Sequence, residues 1–443
     1  MIAKASCSQQ IRKKCHLGLF YSLIGLFFLA LTLNLKAKTQ QMTSETFEDC
    51  VFADHIHTVM LFPSHNKLAF PAIRLRSAEF LEFHFDDLRA GSQALNYTLV
   101  HCNADWTASG LLASEYLQGY QNFFLRDFEY SFNTFIPYTH YSLDIPNEDV
   151  KFKISGNYVL IVYDESPDKP LITRRFVVFE DVVIVNATVR RPTNVDYIDT
   201  HQELDFTINH SGYLIADPFS DLKVHVLQNQ SWSTVNSKLR PRFVQNQMLD
   251  YNYEKENLFP AGNEYRNFDT KDERNLSMNV RRIELDTNFI YFLAVDEARS
   301  ISRYTTWDDV NGQRVIRYVG SDNEHTRADY VWVDFYLNVP ELTSDEKVFI
   351  YGALSDFQLK DRYKLNYHKE EKAYRAKILL KQGFYNYMYA LEGTGSESVD
   401  FSYTEGNRWE TENNYQILVY NREIGLRYDR AIAFVQVSSA DLY

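Results

Sequence analysis

The stretch AIRLRSAEFLEFHFDDL, from Ala72 to Leu88, decides the fold class. Ala72, Arg74 and Arg76 fall on one side of an extended chain, Ile73 and Leu75 on the other. The alternation resumes through Phe80-Leu81-Glu82-Phe83-His84-Phe85. A period of two belongs to a half-buried strand, because successive side chains point to opposite sides of the pleat. The neighbouring segments read the same way. Ile56 to Phe62 is mostly apolar and stops at Pro63-Ser64, and Leu95 to Cys102 alternates. SGNYVLIVYDES, Ser155 to Ser166, carries turn residues at both ends, and Arg174 to Val189 is rich in Val and Ile. Short strands with turns every eight to twelve residues or so predict a β-sandwich.

The pattern continues to the C-terminus. ELDFTIN and LKVHVLQN read as strands, whereas Ser231 to Asp269 is polar, irregular and broken by Pro241 and Pro260. Asn288 to Arg299 returns to strand character. Asn311-Gly312 predicts a hairpin turn between RYTTWDDV and QRVIRYV, since both positions tolerate positive φ. ADYVWVDFYLNV, Ala328 to Val339, opens a further unit that YDRAIAFVQVSS closes. Ser109 to Tyr120 alone suits a short helix. Tyr 31 and Phe 31 against Gly 16 agree with strands, where aromatic rings cover pleated surfaces. The expected fold class is mainly β: two or three antiparallel β-sandwich domains, immunoglobulin-like or early-set. The expected units are 45–185, 186–325 and 326–443.

The first 37 residues stand apart. Lys4, Arg12, Lys13 and Lys14 precede an apolar run from Leu17 to Leu35, and Lys36-Ala37-Lys38-Thr39 offers a cleavage site. This reads as a secretory signal peptide at 1–37; an uncleaved anchor helix is the alternative. Cleavage removes five basic residues and no acidic one, leaving 41 basic against 59 acidic and a net charge of −18. Such a balance excludes nucleic acid and an anionic membrane surface as partners and permits a basic one. Direct membrane insertion of the mature chain is not expected. Two cysteines remain after cleavage, Cys50 and Cys102, either paired or separately buried.

The chemistry-bearing residue types do not assemble into a motif. HCNADW, His101 to Trp106, places a histidine, a cysteine and an aspartate close together. On a strand, His101 and Cys102 point to opposite faces and cannot act as a nucleophile–base pair. Asn103 to Asp105 then reads as an Asx-type turn at the strand exit, with Trp106 covering the end of the core. His55 and His57 share a strand face, but no third ligand lies near in sequence. The acidic pairs Asp86-Asp87, Asp296-Glu297 and Asp308-Asp309 sit where turns are expected and do not define a two-carboxylate cleft. Glu264 and Arg266 would share a face if extended and could clamp one another. Gly156 and Gly262 are expected in turns. No nucleophile elbow, phosphate loop or metalloprotease motif occurs. The expectation is no catalytic residue, no metal ligand, no cofactor and no enzymatic activity.

An ordered set of motifs resembles a known family. FDDL (Phe85 to Leu88), HCNADW, EYLQGY (Glu115 to Tyr120), SFNTFIPYTHYSLDIPN (Ser131 to Asn147), SGNYVLIVY and RRFVVFE (Arg174 to Glu180) come first. QELDF (Gln202 to Phe206), VLQNQSW (Val226 to Trp232), LFPAGNEYRNFD (Leu258 to Asp269), LLKQGFYNYMY (Leu379 to Tyr389), EGNRWETENNY (Glu405 to Tyr415) and RYDR (Arg427 to Arg430) follow. The set is similar to the type 9 secretion system plug protein family of Bacteroidota, over about residues 50 to 435. The resemblance implies a periplasmic, non-enzymatic accessory protein. Its expected partner is the large outer-membrane β-barrel translocon of that system, whose periplasmic end it would plug. It supplies no catalytic residues. A weaker echo of the early-set, glycogen-binding-like sandwich runs through Gly352, Phe357, Gly383, Phe384, Tyr385 and Tyr387. That echo gives the alternative function, a carbohydrate-binding envelope module using the C-terminal sandwich, with Phe357 where a platform Trp would be expected.

Overall fold

The computed structural model describes residues 46–89, 91–343, 346–392 and 399–442; the expected signal peptide at 1–37 lies outside them. Among the described residues no helix is long and apolar enough to cross a membrane. The Ala72–Leu88 alternation is realised as the strands Ala72–Arg74 and Leu81–Asp87. Leu81, Phe83 and Phe85 enter the core of a first sandwich, and Glu82, His84 and Asp86 take the other face. One sheet of this sandwich orders Ile56–Pro63, Leu81–Asp87, Thr139–Ile145 and Asp127–Tyr130. The other orders Cys50–Val51, Ile172–Phe179, Gly156–Tyr163, Asn96–Cys102 and Asn122–Phe124, with Ala72–Arg74 parallel to Ile172–Phe179.

Gly156–Tyr163 is buried at every position. Tyr158, Leu160 and Val162 point into the first core. Val159, Ile161 and Tyr163 point into a separate core that joins the first sandwich to the second. A strand buried on both faces has no use for alternation, which is why its sequence is a continuous apolar run. Gly156 opens this strand rather than occupying a turn. Its φ is +142°, and a Cβ there would lie 2.4 Å from Nε2 of His101. Gly262 lies in a loop at φ +65°.

The second sandwich pairs a sheet of Ile184–Arg190, His201–Asn209, Met248–Asp250 and Phe243–Gln245 with one of Ser231–Asn236, Leu222–Gln228, Asn414–Asn421 and Arg430–Ser438. The last two strands return to it from the chain's C-terminal end: Leu222 faces Asn421 and Gln228 faces Tyr415. The third sandwich is therefore an insertion. Arg266–Asp269, Arg314–Ile316 and Lys347–Tyr351 all pair with Gly383–Glu392. Phe289–Leu293, Tyr330–Asn338 and Ala373–Lys381 build the facing sheet, with Phe289–Leu293 parallel to Tyr330–Asn338. The boundary expected at 325/326 falls inside this sandwich, and 414–438 belongs with the second. The strands at the two places look alike in sequence, and only their pairing assigns them. Asn311-Gly312 does turn with both residues at positive φ, and the Gln313 amide donates to the Val310 carbonyl. Its arms do not form a hairpin, however, because Arg314–Ile316 pairs with Gly383–Glu392 instead. The expected helix is one turn, Ala113–Tyr116.

Candidate functional site

HCNADW folds as architecture. His101 is buried in the first sandwich, donates from Nε2 to the Ser155 carbonyl at 3.1 Å, and meets Tyr158 and Tyr428 edge-on. Burial holds its imidazole down to about 4, so it is neutral near pH 7. Cys102 lies on the opposite face in the core shared with the second sandwich, where burial pushes its thiol up. Cys50 is half-buried, and the two cysteines are free rather than paired. The Asx turn is made by Asp105, whose carboxylate accepts from the Thr107 amide. Asn103 turns instead to Arg422, which donates to its side-chain oxygen at 2.8 Å. Trp106 is 5% exposed but covers the joint between sandwiches, not the end of its own core. Its ring meets Trp232 edge-on at 4.9 Å, and the Arg175 guanidinium lies over both rings.

The acidic residues are also structural. Asp87 binds the Arg89 guanidinium and backbone amide. Asp296 accepts from Arg266, Tyr387 and Tyr389 inside the third sandwich. Glu264 and Arg266 do not clamp one another. The chain reaches strand geometry only at Arg266, so the two never share a pleat. Arg266 pairs with Glu405 and Asp296, while Glu264 accepts from Tyr304 Oη and the Glu412 amide. Glu264 sits where the two connections to the third sandwich run side by side: Arg408 N donates to the Gly262 carbonyl, and Asn413 Nδ2 to Ala261. Burial raises Glu264 to about 7 and nearby Asp309 to about 6.

Asp86-Asp87, expected in a turn, ends the strand Leu81–Asp87, whose face away from the first core is sealed against the third sandwich. Asp86 is completely buried and accepts from Lys381 Nζ at 2.7 Å, His140 Nδ1 at 2.7 Å and Tyr330 Oη at 2.6 Å. Burial alone would raise its pKa, but Lys381 and His140 hold it down to about 2. Lys381 also donates to the His325 carbonyl, and Tyr138 Oη to the Ala328 carbonyl. The ion pairs Arg174–Asp356 and Lys67–Glu324 stitch the same two sandwiches. This fully satisfied network fixes one relative placement of the domains. The His57 ring packs edge-on to Tyr330 and lies within hydrogen-bond distance of the Arg362 guanidinium.

One side of the first sandwich is open. Asn122–Phe124 ends one sheet and Asp127–Tyr130 ends the other, so a single segment supplies both edge strands. It exposes Tyr120, Phe124, Phe128, Tyr130, Phe132 and Phe135, from 82% at Tyr120 to 41% at Phe128. Phe132 and Phe135 rest on Arg327 and Phe289 of the third sandwich. Unpaired edges with exposed aromatic rings form the kind of surface that adds a strand or packs on another protein. Sequence reading missed this edge because the same aromatic residues equally suit a core. Phe357, the expected platform residue, is half-buried against Tyr351 at the rim of a cleft of about 280 Å³ that Trp232 of the second sandwich also lines.

A family model described as "Type 9 secretion system plug protein 1st domain" matches residues 56–180, the span of the first sandwich from Ile56–Pro63 to Ile172–Phe179. The crystal structure of a hypothetical protein from Parabacteroides merdae ATCC 43184 is 36% identical with a TM-score of 0.86, covering 89% of this chain and 100% of that one. The C-terminal domain of the Streptococcus pyogenes antigen I/II-family protein AspA aligns over 85% of this chain and 98% of that one. Its 7% identity and TM-score of 0.15 carry no argument. None of the curated proteins matches.

Proposed function

Because the chain belongs to the type 9 secretion system plug protein family, we propose that it is a non-enzymatic accessory component that plugs the periplasmic end of that system's outer-membrane translocon barrel. Its role is associated with the secretion machinery of the cell envelope. The observation that carries the occlusion reading is mechanical. Three sandwiches share buried joints: the core around Val159, Trp106 and Leu418 ties the first to the second, and the Asp86 network ties the first to the third. A stopper has to resist deformation, and close-packed joints with satisfied polar groups do. The aromatic edge from Tyr120 to Phe135 is the surface we assign to the barrel. Its rings supply contact area, and the outer edges of its two strands supply backbone donors and acceptors.

Affinity isolation from solubilised envelopes tests this reading. The wild-type chain carries the barrel with it. A Phe124→Glu, Phe128→Glu double variant, which touches only exposed rings, folds normally and loses it. Recovery of the barrel undiminished by that variant removes the aromatic edge from the account. The cleft between Phe357 and Trp232 favours a second reading, glycan binding at that cleft. Glycan-array signal abolished by Phe357→Ala would support it, and a flat array would end it.

A further inference from the structure

We propose that His84, His140 and His325 form a site for a divalent transition metal of the zinc class, pinning the first sandwich to the third. His84 lies on Leu81–Asp87, His140 on Thr139–Ile145, and His325 on the one-turn helix Glu324–Arg327 that leads into the third sandwich. One ligand nitrogen from each falls within 4.8 Å of the other two. His84 Nδ1 and His140 Nε2 are 3.2 Å apart. In a tetrahedral site with metal–nitrogen bonds of about 2.0–2.1 Å, adjacent ligand nitrogens stand about 3.3–3.4 Å apart. The two strands therefore already hold two ligands at the required spacing. The His325 ring lies across the other two, with centroids 4.8 and 4.7 Å away, and is half-buried, so a turn of its side chain brings the third nitrogen in.

The partners of the rings point the same way. His140 Nδ1 donates to Asp86 at 2.7 Å, which leaves its Nε2 turned to His84 Nδ1. On the far side of that ring, His84 Nε2 faces Oε2 of Glu82 at 3.4 Å. A metal ion in the His84–His140 gap leaves both distal nitrogens free to donate to carboxylates. That arrangement orients metal-bound histidines and raises their basicity. Neutral imidazoles suit zinc, copper and nickel, and carboxylate-preferring calcium and magnesium are disfavoured. The charged groups around the cluster are Asp86, Glu82 and Glu324 against Lys381 and Lys67, a balance that admits a cation.

The test uses the full-length chain without a polyhistidine tag, stripped with chelator and titrated with Zn²⁺ alone by calorimetry. One equivalent is expected to bind, with a rise in Tm. Co²⁺ in its place is expected to give the intense visible bands of a tetrahedral centre. His325→Ala, at the half-exposed ligand, is expected to weaken binding at least tenfold and to abolish both the Tm rise and the cobalt bands. His84→Asn serves as the second variant with the same expectation, should the first fail to fold. Absence of a saturable equivalent in the wild type overturns the proposal. So does a folded variant that binds with unchanged stoichiometry and affinity.

Discussion

Replacing Trp106 by alanine is expected to loosen the joint between the first and second sandwiches. The indole is buried, contacts Trp232 edge-on at 4.9 Å and lies under the Arg175 guanidinium. Truncating a buried Trp costs about 3–5 kcal/mol, and aromatic pairing adds about 0.5–1.5 kcal/mol, which places this site near the upper end, about 4–5 kcal/mol. The backbone supplies an internal control. Trp106 sits at φ +65°, where a side-chain-bearing residue is strained and glycine is not. Alanine keeps that strain; glycine relieves about 1 kcal/mol of it, partly offset by its freer unfolded chain. Trp106→Gly is therefore expected to be no less stable than Trp106→Ala despite the smaller side chain. The indole N–H finds no partner, so Trp106→Phe loses packing but no hydrogen bond and costs far less than Ala. Urea unfolding followed by circular dichroism reads all three. An unchanged midpoint for Trp106→Ala refutes the buried joint, and a glycine variant much weaker than alanine refutes the left-handed backbone.

Other expectations follow from the same contacts. Lys381→Met strips the counter-ion from buried Asp86 and is expected to cost about 3–5 kcal/mol, while Asp86→Leu combined with it recovers part of the loss; additive costs in a chelated urea titration would deny the coupling. Glu264 has its folded pKa raised from 4.5 to about 7, so its contribution is complete below pH 4.5 and is lost as pH rises through 7. That window is worth about 3 kcal/mol at most, and Glu264→Gln is expected to flatten it in Tm-versus-pH curves. His57, His101 and His225, held down to about 4 by burial, act in the opposite sense: stability is present above pH 6.5 and lost as pH falls towards 4. A thiol titration of the native protein is expected to label Cys50 and spare Cys102, with both reactive after unfolding; a missing thiol in denaturant would mean a disulfide.

Much of the fold was legible because short-range periodicity records which face of a strand is buried. Leu81, Phe83 and Phe85 point inward as their alternation requires. The unbroken run Tyr158 to Tyr163 announces a strand buried on both faces. What periodicity does not record is what covers the other face. Alternation turns Glu82, His84 and Asp86 away from the first core without saying what they meet, and Asp86 bonds to residues 244 and 295 positions away. The three histidines share this fate: no spacing in the sequence joins His84 and His140 to His325, and only the docking of two sandwiches does. The return of Asn414–Asn421 to the second sandwich is hidden for a related reason, since a strand's pattern states its burial and not its neighbour. Trp106 was recognisable as a buried covering residue, but which core it covers depends on Trp232, far along the chain.

The role proposed for this protein is to close a pore by filling its mouth. Ion conductance through the purified translocon barrel in a planar bilayer, with the protein added from the periplasmic side, tests it most directly. Conductance is expected to fall to the closed level at saturation, and the Phe124→Glu, Phe128→Glu variant to leave the pore open. Conductance unchanged by bound wild-type protein would contradict it.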